Sequence, residues 1–395
     1  MTVKEVGWEM NQDIKTLFIL GAGASKEAGA PLMSNFLDVA EILLAEGRCG
    51  ANQTDFELVF STRSKLQAVY SKSRAIDLDN LEAVFAAFEM GHLVGRLGRV
   101  SKRDIHRNVA SLGRLILRTL EETISFPYSP RSLRVSPPRP YGDFANLIRD
   151  FYHSGQRCAI ITFNYDVSLD YAIALPQQGE GKWFENARRK WGEFVVFHCD
   201  YCLENTLNSH STSVPVMKLH GSLNWVRNGK QIEVIEFWNP RTDSFRRFDI
   251  SKADSPRKLG LYSNTKREPM IIPPTWSKAE HHRQLANVWR KAAESLSTAE
   301  NIIVCGYSLP ESDYFFRYLF AIGSMGDTTI KRFYVFDPDS RVESRFEDML
   351  SERVGRRFRF RSYTFEQAIM VLSGVDIRTP GQLKKNPDSE LALSK

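Results

Sequence analysis

The chain has 395 residues, 42% hydrophobic and 25% charged, which is the balance of an ordinary soluble globular protein. Lys and Arg outnumber Asp and Glu by 53 to 47, giving a formal net charge of +6. No apolar run reaches the roughly 18 residues that a membrane span needs, the first residues hold no apolar signal core, and five cysteines in so long a chain make no disulfide scaffold. A cytoplasmic protein without membrane contact is therefore expected. The surplus of cations permits a polyanionic partner without demanding one.

Residues 15–20 form a short apolar run that reads as a buried strand. It runs into Gly21-Ala22-Gly23-Ala24-Ser25, and a helical pattern follows over 34–45. Three helical stretches come next, over 55–70, 79–97 and 104–124. Asp79 or Asn80 is the expected cap of the middle one, with Leu81, Val84, Phe85 and Phe88 as its buried stripe. The five prolines of 126–140 make a loop.

The alternation of strands and helices then resumes. A helix is expected over 141–154, then a strand over 158–163 that ends at Asn164-Tyr165-Asp166. A short helix near 170–175 precedes an irregular polar insertion over 176–214. A short strand over 216–219 ends at His220-Gly221, and 230–267 reads as a hairpin with a polar loop. Another strand end lies at 270–274, before a helix over 277–297. The strand over 302–305 ends at Gly306-Tyr307-Ser308, and a helix covers 313–322. The strand over 333–336 ends at Asp337. A strand over 358–363, a helix over 365–372 and a flexible tail over 375–395 complete the chain.

This order predicts an α/β fold: a Rossmann-like, mostly parallel sheet with helices on both faces and a helical insertion. The sheet domain takes 1–50 and 141–374, and the insertion takes 51–140. Ligands of open parallel sheets bind beyond the carboxyl ends of the strands. The glycine loop, Asn164, His220, Ser308 and Asp337 each follow a strand, so all are expected on one rim.

The chemistry of these residues differs. Glycines let a backbone approach a pyrophosphate, and a helix N-terminus adds N–H donors. Lys26 stands where the full dinucleotide fingerprint has a third glycine, so a tight structural turn is the competing reading. An imidazole ordinarily titrates near neutrality, so His220 can take a proton from water or a sugar hydroxyl, although a lone histidine is often structural. Asn164 cannot be a base, but its amide can orient a water or hold a ribose hydroxyl; a strand-end turn is its plainer role. Asp166 suits a bond to nearby backbone.

Two further motifs point away from the rim. His198-Cys199-Asp200-Tyr201-Cys202 holds one C-x-x-C, whereas a structural zinc needs four ligands. With Cys49, Cys158 and Cys305 scattered, no metal is expected there, and a surface loop with free thiols is. Arg353, Arg356, Arg357, Arg359 and Arg361 alternate with Phe358 and Phe360. That pattern suits nucleic acid weakly, and suits better an edge strand whose arginines deter pairing.

Taken in order, Gly21-Ala22-Gly23-Ala24-Ser25, Ala28-Gly29-Ala30-Pro31, Thr162-Phe163-Asn164-Tyr165-Asp166, Lys218-Leu219-His220-Gly221-Ser222-Leu223-Asn224-Trp225 and Gly306-Tyr307-Ser308 resemble the sirtuin-like superfamily. The likeness is greatest to its bacterial members in anti-phage defence. The resemblance implies NAD+ as substrate, with Gly21, Ala22, Gly23, Ala24 and Ser25 at the pyrophosphate and Pro31 nearby. It implies Asn164 in the nicotinamide pocket with Thr162 and Asp166 in the same motif, and His220 as the catalytic histidine. Gly306 and Ser308 would meet the adenosine side, and Asp337 the adenine ribose.

Three departures accompany the likeness. Phe163 replaces the glutamine of the sirtuin motif, Leu32-Met33-Ser34 replaces its acidic-Phe-Arg run, and the four-cysteine zinc module is missing. Acetyl-lysine chemistry is therefore not expected. The implied activity is hydrolysis of NAD+ to ADP-ribose and nicotinamide, with no cofactor and no zinc. The resemblance also implies a homo-oligomer, a HerA-type ATPase partner and only indirect nucleic-acid contact. The competing readings are a non-catalytic module that senses NAD+ or ADP-ribose, and a DNA-associated subunit of a defence complex.

Overall fold

A computed structural model describes residues 14–70, 77–98, 100–129, 134–175, 197–203, 213–228, 231–235, 238–239, 244–245, 269–272, 279–310, 313–324 and 329–374. The flexible tail expected over 375–395 lies outside the described residues, as does most of the loop within 230–267.

Strand β1 (Ile14–Leu20) is buried from Leu17 to Leu20, each 0% exposed, so both of its faces are covered. A glycine turn leads into α1 (Ala22–Lys26) and then α2 (Phe36–Ala45). Three long helices follow, α3 (Gln53–Tyr70), α4 (Leu81–Val94) and α5 (Lys102–Thr123). Asn80 caps α4 by accepting from the Glu82 N–H, and Leu81, Val84, Phe85 and Phe88 are its buried stripe. An Asn at that position satisfies one of the orphan donors of the first turn. Ser101 does the same for α5. Among the described residues of the proline-rich stretch, a two-stranded ribbon forms from β2 (Tyr128–Ser129) and β3 (Arg134–Val135).

The sheet resumes with α6 (Tyr141–His153), β4 (Arg157–Thr162) and α7 (Ser168–Ala174). Next come β5 (His198–Asp200), β6 (Ser213–Lys218), β7 (Gly221–Asn228) and β8 (Gln231–Val234). A ribbon of β9 (Trp238–Asn239) and β10 (Ser244–Phe245) precedes β11 (Pro269–Ile271) and the long α8 (Ala279–Thr298). The chain closes with β12 (Asn301–Cys305), α9 (Tyr314–Gly323), β13 (Arg332–Phe336), α10 (Arg341–Met349), α11 (Glu352–Gly355), β14 (Phe358–Arg361) and α12 (Phe365–Leu372).

Seven strands form the main sheet in the order β14-β13-β12-β1-β4-β6-β5, and every pairing is parallel. All seven therefore end on one rim, as a Rossmann-like α/β fold requires. The chain leaves β1 to build β4 on one side and returns to build β12 on the other. That reversal makes the carboxyl end of β1 the topological switch point, where ligands of such sheets bind. Phe18 meets Phe144 and Phe151 of α6 edge-on, at 5.1 and 5.9 Å between ring centroids.

Two sequence expectations need correction. The stretch 176–214 is not wholly irregular, because His198–Asp200 pairs with β6 as the outermost strand on that side. The C-x-x-C therefore belongs to a sheet edge rather than a free surface loop. Burial pushes the Cys202 thiol up to about 12 and holds the Cys199 thiol well above its ordinary range. The strand expected at 270–274 is found at Pro269–Ile271, in a second, antiparallel sheet, β11-β7-β8. At the opposite edge, β14 buries Phe358 and exposes Arg359 and Arg361, the edge-strand pattern.

A second core lies among the helices. It takes in Phe36, Leu37 and Leu43 of α2 with buried residues of α3, α4 and α5. Tyr165, Val167, Tyr171 and Leu223 join the same core, so the helices pack directly on the loop after β4.

Candidate active site

The glycine turn after β1 is locked to the loop after β12. The Gly21 N–H donates to the Cys305 carbonyl (3.1 Å) and the Gly23 N–H to the Gly306 carbonyl (2.9 Å). A Cβ on Gly21 would stand 2.5 Å from the Gly306 oxygen, and one on Gly23 2.7 Å from the Gly306 Cα. Gly306 itself has φ +61°, and its Cβ would stand 2.3 Å from the Ala24 nitrogen. The glycines thus permit two backbones to interlock, a purpose the sequence does not disclose.

Asn164 follows β4 and is buried at 9% exposure. Its Nδ2 donates to the Gly21 carbonyl (2.8 Å) and to Ser25 Oγ (2.9 Å). A carbonyl can only accept, so this contact fixes which end of the amide is nitrogen. Oδ1 is thereby turned away from the glycine loop as an acceptor. Ser25 Oγ donates to Asp166 Oδ2 (2.6 Å) and lies 2.7 Å from the Tyr141 hydroxyl. With its one proton on Asp166, Ser25 accepts from Tyr141. The other Asp166 oxygen accepts from the Ser168 N–H (2.9 Å). Asp166, Ser25, Tyr141 and Asn164 are thus one buried network that sets the rim of β1 against the rim of β4. Burial pushes the Tyr141 hydroxyl well above its ordinary range, so it stays a proton donor.

His220 lies just beyond β6, the neighbour of β4, and is 5% exposed. Its ring meets Phe163 at 5.3 Å and Tyr165 at 6.3 Å. The following glycine is a backbone requirement. Gly221 has φ +82°, and a Cβ there would stand 2.0 Å from the Met270 oxygen. The chain turns at this point directly into β7, and the His220 carbonyl accepts from the Ile272 N–H (2.8 Å). Phe163 stacks on Tyr307 at 4.2 Å with the planes 7° apart, and Phe316 closes on both rings edge-on. The Tyr307 hydroxyl donates to Asp313 Oδ2 (2.6 Å). His220 therefore faces an aromatic, water-poor wall, where charge is felt strongly.

Asp337, Ser308 and Thr162 lie at or just beyond strand ends on the same rim. Asp337 follows β13 and is 8% exposed. Its Oδ1 accepts from the Asp339 N–H (2.9 Å), and burial raises its carboxyl above the usual range. Ser308 is exposed, and its carbonyl accepts from Arg345 (3.0 Å). Thr162 is the last residue of β4, and its Oγ1 accepts from the Asn164 N–H (3.1 Å). Pro31 is buried beside Ala30, which belongs to the helical core. Ala22 is half-buried and Ala24 buried within the first turn of α1.

Sequence reasoning missed Tyr141, Tyr307 and the pair Lys218–Asp170. Lys218 Nζ lies 2.9 Å from Asp170 Oδ2, and both side chains are 1% exposed. A lysine at the end of an otherwise apolar strand, with an aspartate at the head of a short helix nearby, is the signal that could have found the pair. Tyr141 leaves no such signal, since an aromatic at a helix start reads as core.

No family model matches the chain, and no curated protein matches it. Solved structures do overlap it. Sir2Tm bound to a propionylated peptide is 12% identical, with 92% of this chain and 94% of that one covered and a TM-score of 0.36. Sir2 bound to an acetylated peptide gives 12% identity, 92% and 94% coverage and 0.35. A mutant Sir2 homologue in complex with ADP-ribose gives 12% identity, 91% and 90% coverage and 0.34. Such scores mark partial overlap, and the α/β class rests on the seven parallel strands themselves.

Proposed function

We propose that the protein is an NAD+ glycohydrolase that cleaves the nicotinamide–ribose bond. One observation carries the reading: Asn164 and His220 stand at the ends of adjacent parallel strands, beside a glycine turn at the reversal point of the sheet. The dinucleotide would lie along the rim, with its pyrophosphate near Gly21 to Ser25 and its adenine ribose towards Ser308 and Asp337. Ser25 and Asp166, already bonded to each other, would shape the pocket wall.

The bond to nicotinamide breaks through a cationic, oxocarbenium-like state. Asn164 Oδ1 would accept from a ribose hydroxyl or from the attacking water, and its carbonyl dipole suits the developing positive charge. His220 would take the proton that the water loses, a role worth on the order of 10²–10⁴-fold in rate. The products are ADP-ribose, nicotinamide and one proton. The reading assigns no resident metal or cofactor.

We further read the activity as depletion of NAD+ in anti-phage defence, in the cytoplasm. Control would come through a homo-oligomer or a HerA-type ATPase partner. Met90, Leu93 and Val94 on α4 are 53%, 68% and 61% exposed, and they put apolar surface on the helices that pack against the loop after β4. Light scattering on the purified chain tests the oligomer.

The deciding assay follows nicotinamide release from NAD+. His220→Ala should lower it at least about 10²-fold while the fold survives. A His220→Ala protein that works at the parent rate would sink the catalytic assignment. If the parent binds NAD+ or ADP-ribose and releases nothing, it is a sensing module instead.

A further inference from the structure

Lys218 is the last residue of β6 and is 1% exposed. Its Nζ donates to the Asp166 carbonyl (2.6 Å) and to Asp170 Oδ2 (2.9 Å). Asp170 in turn accepts from the Tyr201 hydroxyl through Oδ1 (2.6 Å). Burying an ion pair costs desolvation that its attraction seldom exceeds, so such a pair contributes little net stability. What it does is fix geometry.

The ammonium reaches across from β6 to the loop after β4. It grips that loop two residues beyond Asn164, from a position two residues before His220. Both proposed active groups therefore hang on short chain segments joined by one buried cation. Neutral backbone bonds also cross here, from Leu219 N–H to the Thr162 carbonyl (3.0 Å) and from Leu223 N–H to the Tyr165 carbonyl (2.9 Å). Neither reaches Asp166, the residue that holds Ser25 and through it the glycine turn.

We infer that Lys218 is a positioning residue, a buried tether that holds the Asn164 loop at working distance from His220. It touches no substrate. Its importance for rate rests on the hydrolase reading, but the tether itself does not. Misplacement of a reacting group by about 1 Å can cost on the order of 10²-fold in rate.

The test compares two neutral pairs, Lys218→Met with Asp170→Asn, and Lys218→Gln with Asp170→Asn. Asparagine keeps an acceptor for Tyr201 and removes the unpaired charge, and glutamine keeps a donor for the Asp166 carbonyl. Hydrogen exchange of amides 163–167 reads the tether without any activity. The methionine pair should exchange there about 10-fold faster or more, while amides of β1 stay protected. The glutamine pair should exchange at a rate between that and the parent's. In the nicotinamide assay, the methionine pair should lose on the order of 10²-fold in kcat with KM little changed, and the glutamine pair should recover part of it.

Parent-like exchange in the methionine pair overturns the tether. Raised exchange with parent-level kcat overturns its role in the reaction. A parent that releases no nicotinamide removes the hydrolase reading, and the tether then stands or falls on exchange alone. Should the methionine pair not fold, the glutamine pair decides: exchange of 163–167 faster than the parent's with β1 still protected supports the tether, and parent-like exchange there refutes it.

Discussion

Replacing Gly306 by alanine tests the interlock of the two rim loops. The residue has φ +61°, so an alanine there adopts left-handed backbone at a cost of about 1–2 kcal/mol. Its Cβ would also stand 2.3 Å from the Ala24 nitrogen and 2.5 Å from the Gly23 carbon. Both neighbours are backbone, so neither can swing aside. To regain contact distance the loops must part by on the order of 1 Å. Overpacking of that kind costs about 1–3 kcal/mol, and losing the bond from Gly23 to Gly306 adds about 1 kcal/mol. The expected loss for Gly306→Ala is about 3–6 kcal/mol in chemical denaturation followed by tryptophan fluorescence. Trp225, 0% exposed and in the core of the sheet, is a suitable reporter.

Gly47→Ala is the control. Gly47 has φ +67° with nothing within 4 Å of its Cβ, so it should lose only the backbone cost of about 1–2 kcal/mol. The difference between the two variants isolates the close approach. Equal losses in both would refute the interlock. The displacement also passes to Asn164, whose amide holds the Gly21 carbonyl. Nicotinamide release should therefore fall more steeply in Gly306→Ala than stability alone explains.

Other outcomes follow from the same geometry. Ser25→Ala leaves Asp166 Oδ2 without its donor and should cost about 1–3 kcal/mol in the same denaturation experiment; a change under about 0.5 kcal/mol would contradict the network. Burial raises the Asp337 carboxyl, so the stability it contributes is full below its unfolded value and is lost as pH rises through the folded one. Asp337→Asn does not titrate, so its stability relative to the parent should grow from about pH 4 towards neutrality; the reverse trend in pH-dependent unfolding would overturn the assignment. Arg359→Val with Arg361→Val strips the charges from the β14 edge and should raise light scattering on warming at an unchanged monomer fold. Scattering equal to the parent's would show that those arginines do not guard the edge.

The sheet strands were legible because each of β1, β4, β12 and β13 is a short apolar run ending at a turn residue. The Asn80 cap and the α4 stripe were legible because capping and helical spacing are local properties. What could not be read were meetings of distant residues. Nothing near Gly21 announces that its neighbour is Gly306, so the interlock of the two loops could not be read beside the phosphate reading. The strand β5 is only His198–Asp200, too short to carry a period of its own. The turn at Gly221 hid the second sheet, because one strand follows another with His220 and Leu219 alone between them. Lys218 escaped because a lysine is ordinarily solvated, and only Asp170 and the Asp166 carbonyl make its burial tolerable.

The place of β1 in the sheet also sets an order of assembly during synthesis. Its pairing with β4 becomes possible once residues up to Thr162 have left the ribosome, but its other flank waits for Asn301 to Cys305. At about 5–20 residues per second, that flank stays open for on the order of ten seconds. The helices α3, α4 and α5 draw on nearer partners and can collapse in that interval. Tyr165, Val167 and Tyr171 can then join their core before the sheet is complete. The growing chain thus carries the loop after β4, with Asn164 on it, on a finished helical cradle. Arrival of Gly306 then locks the glycine turn in place.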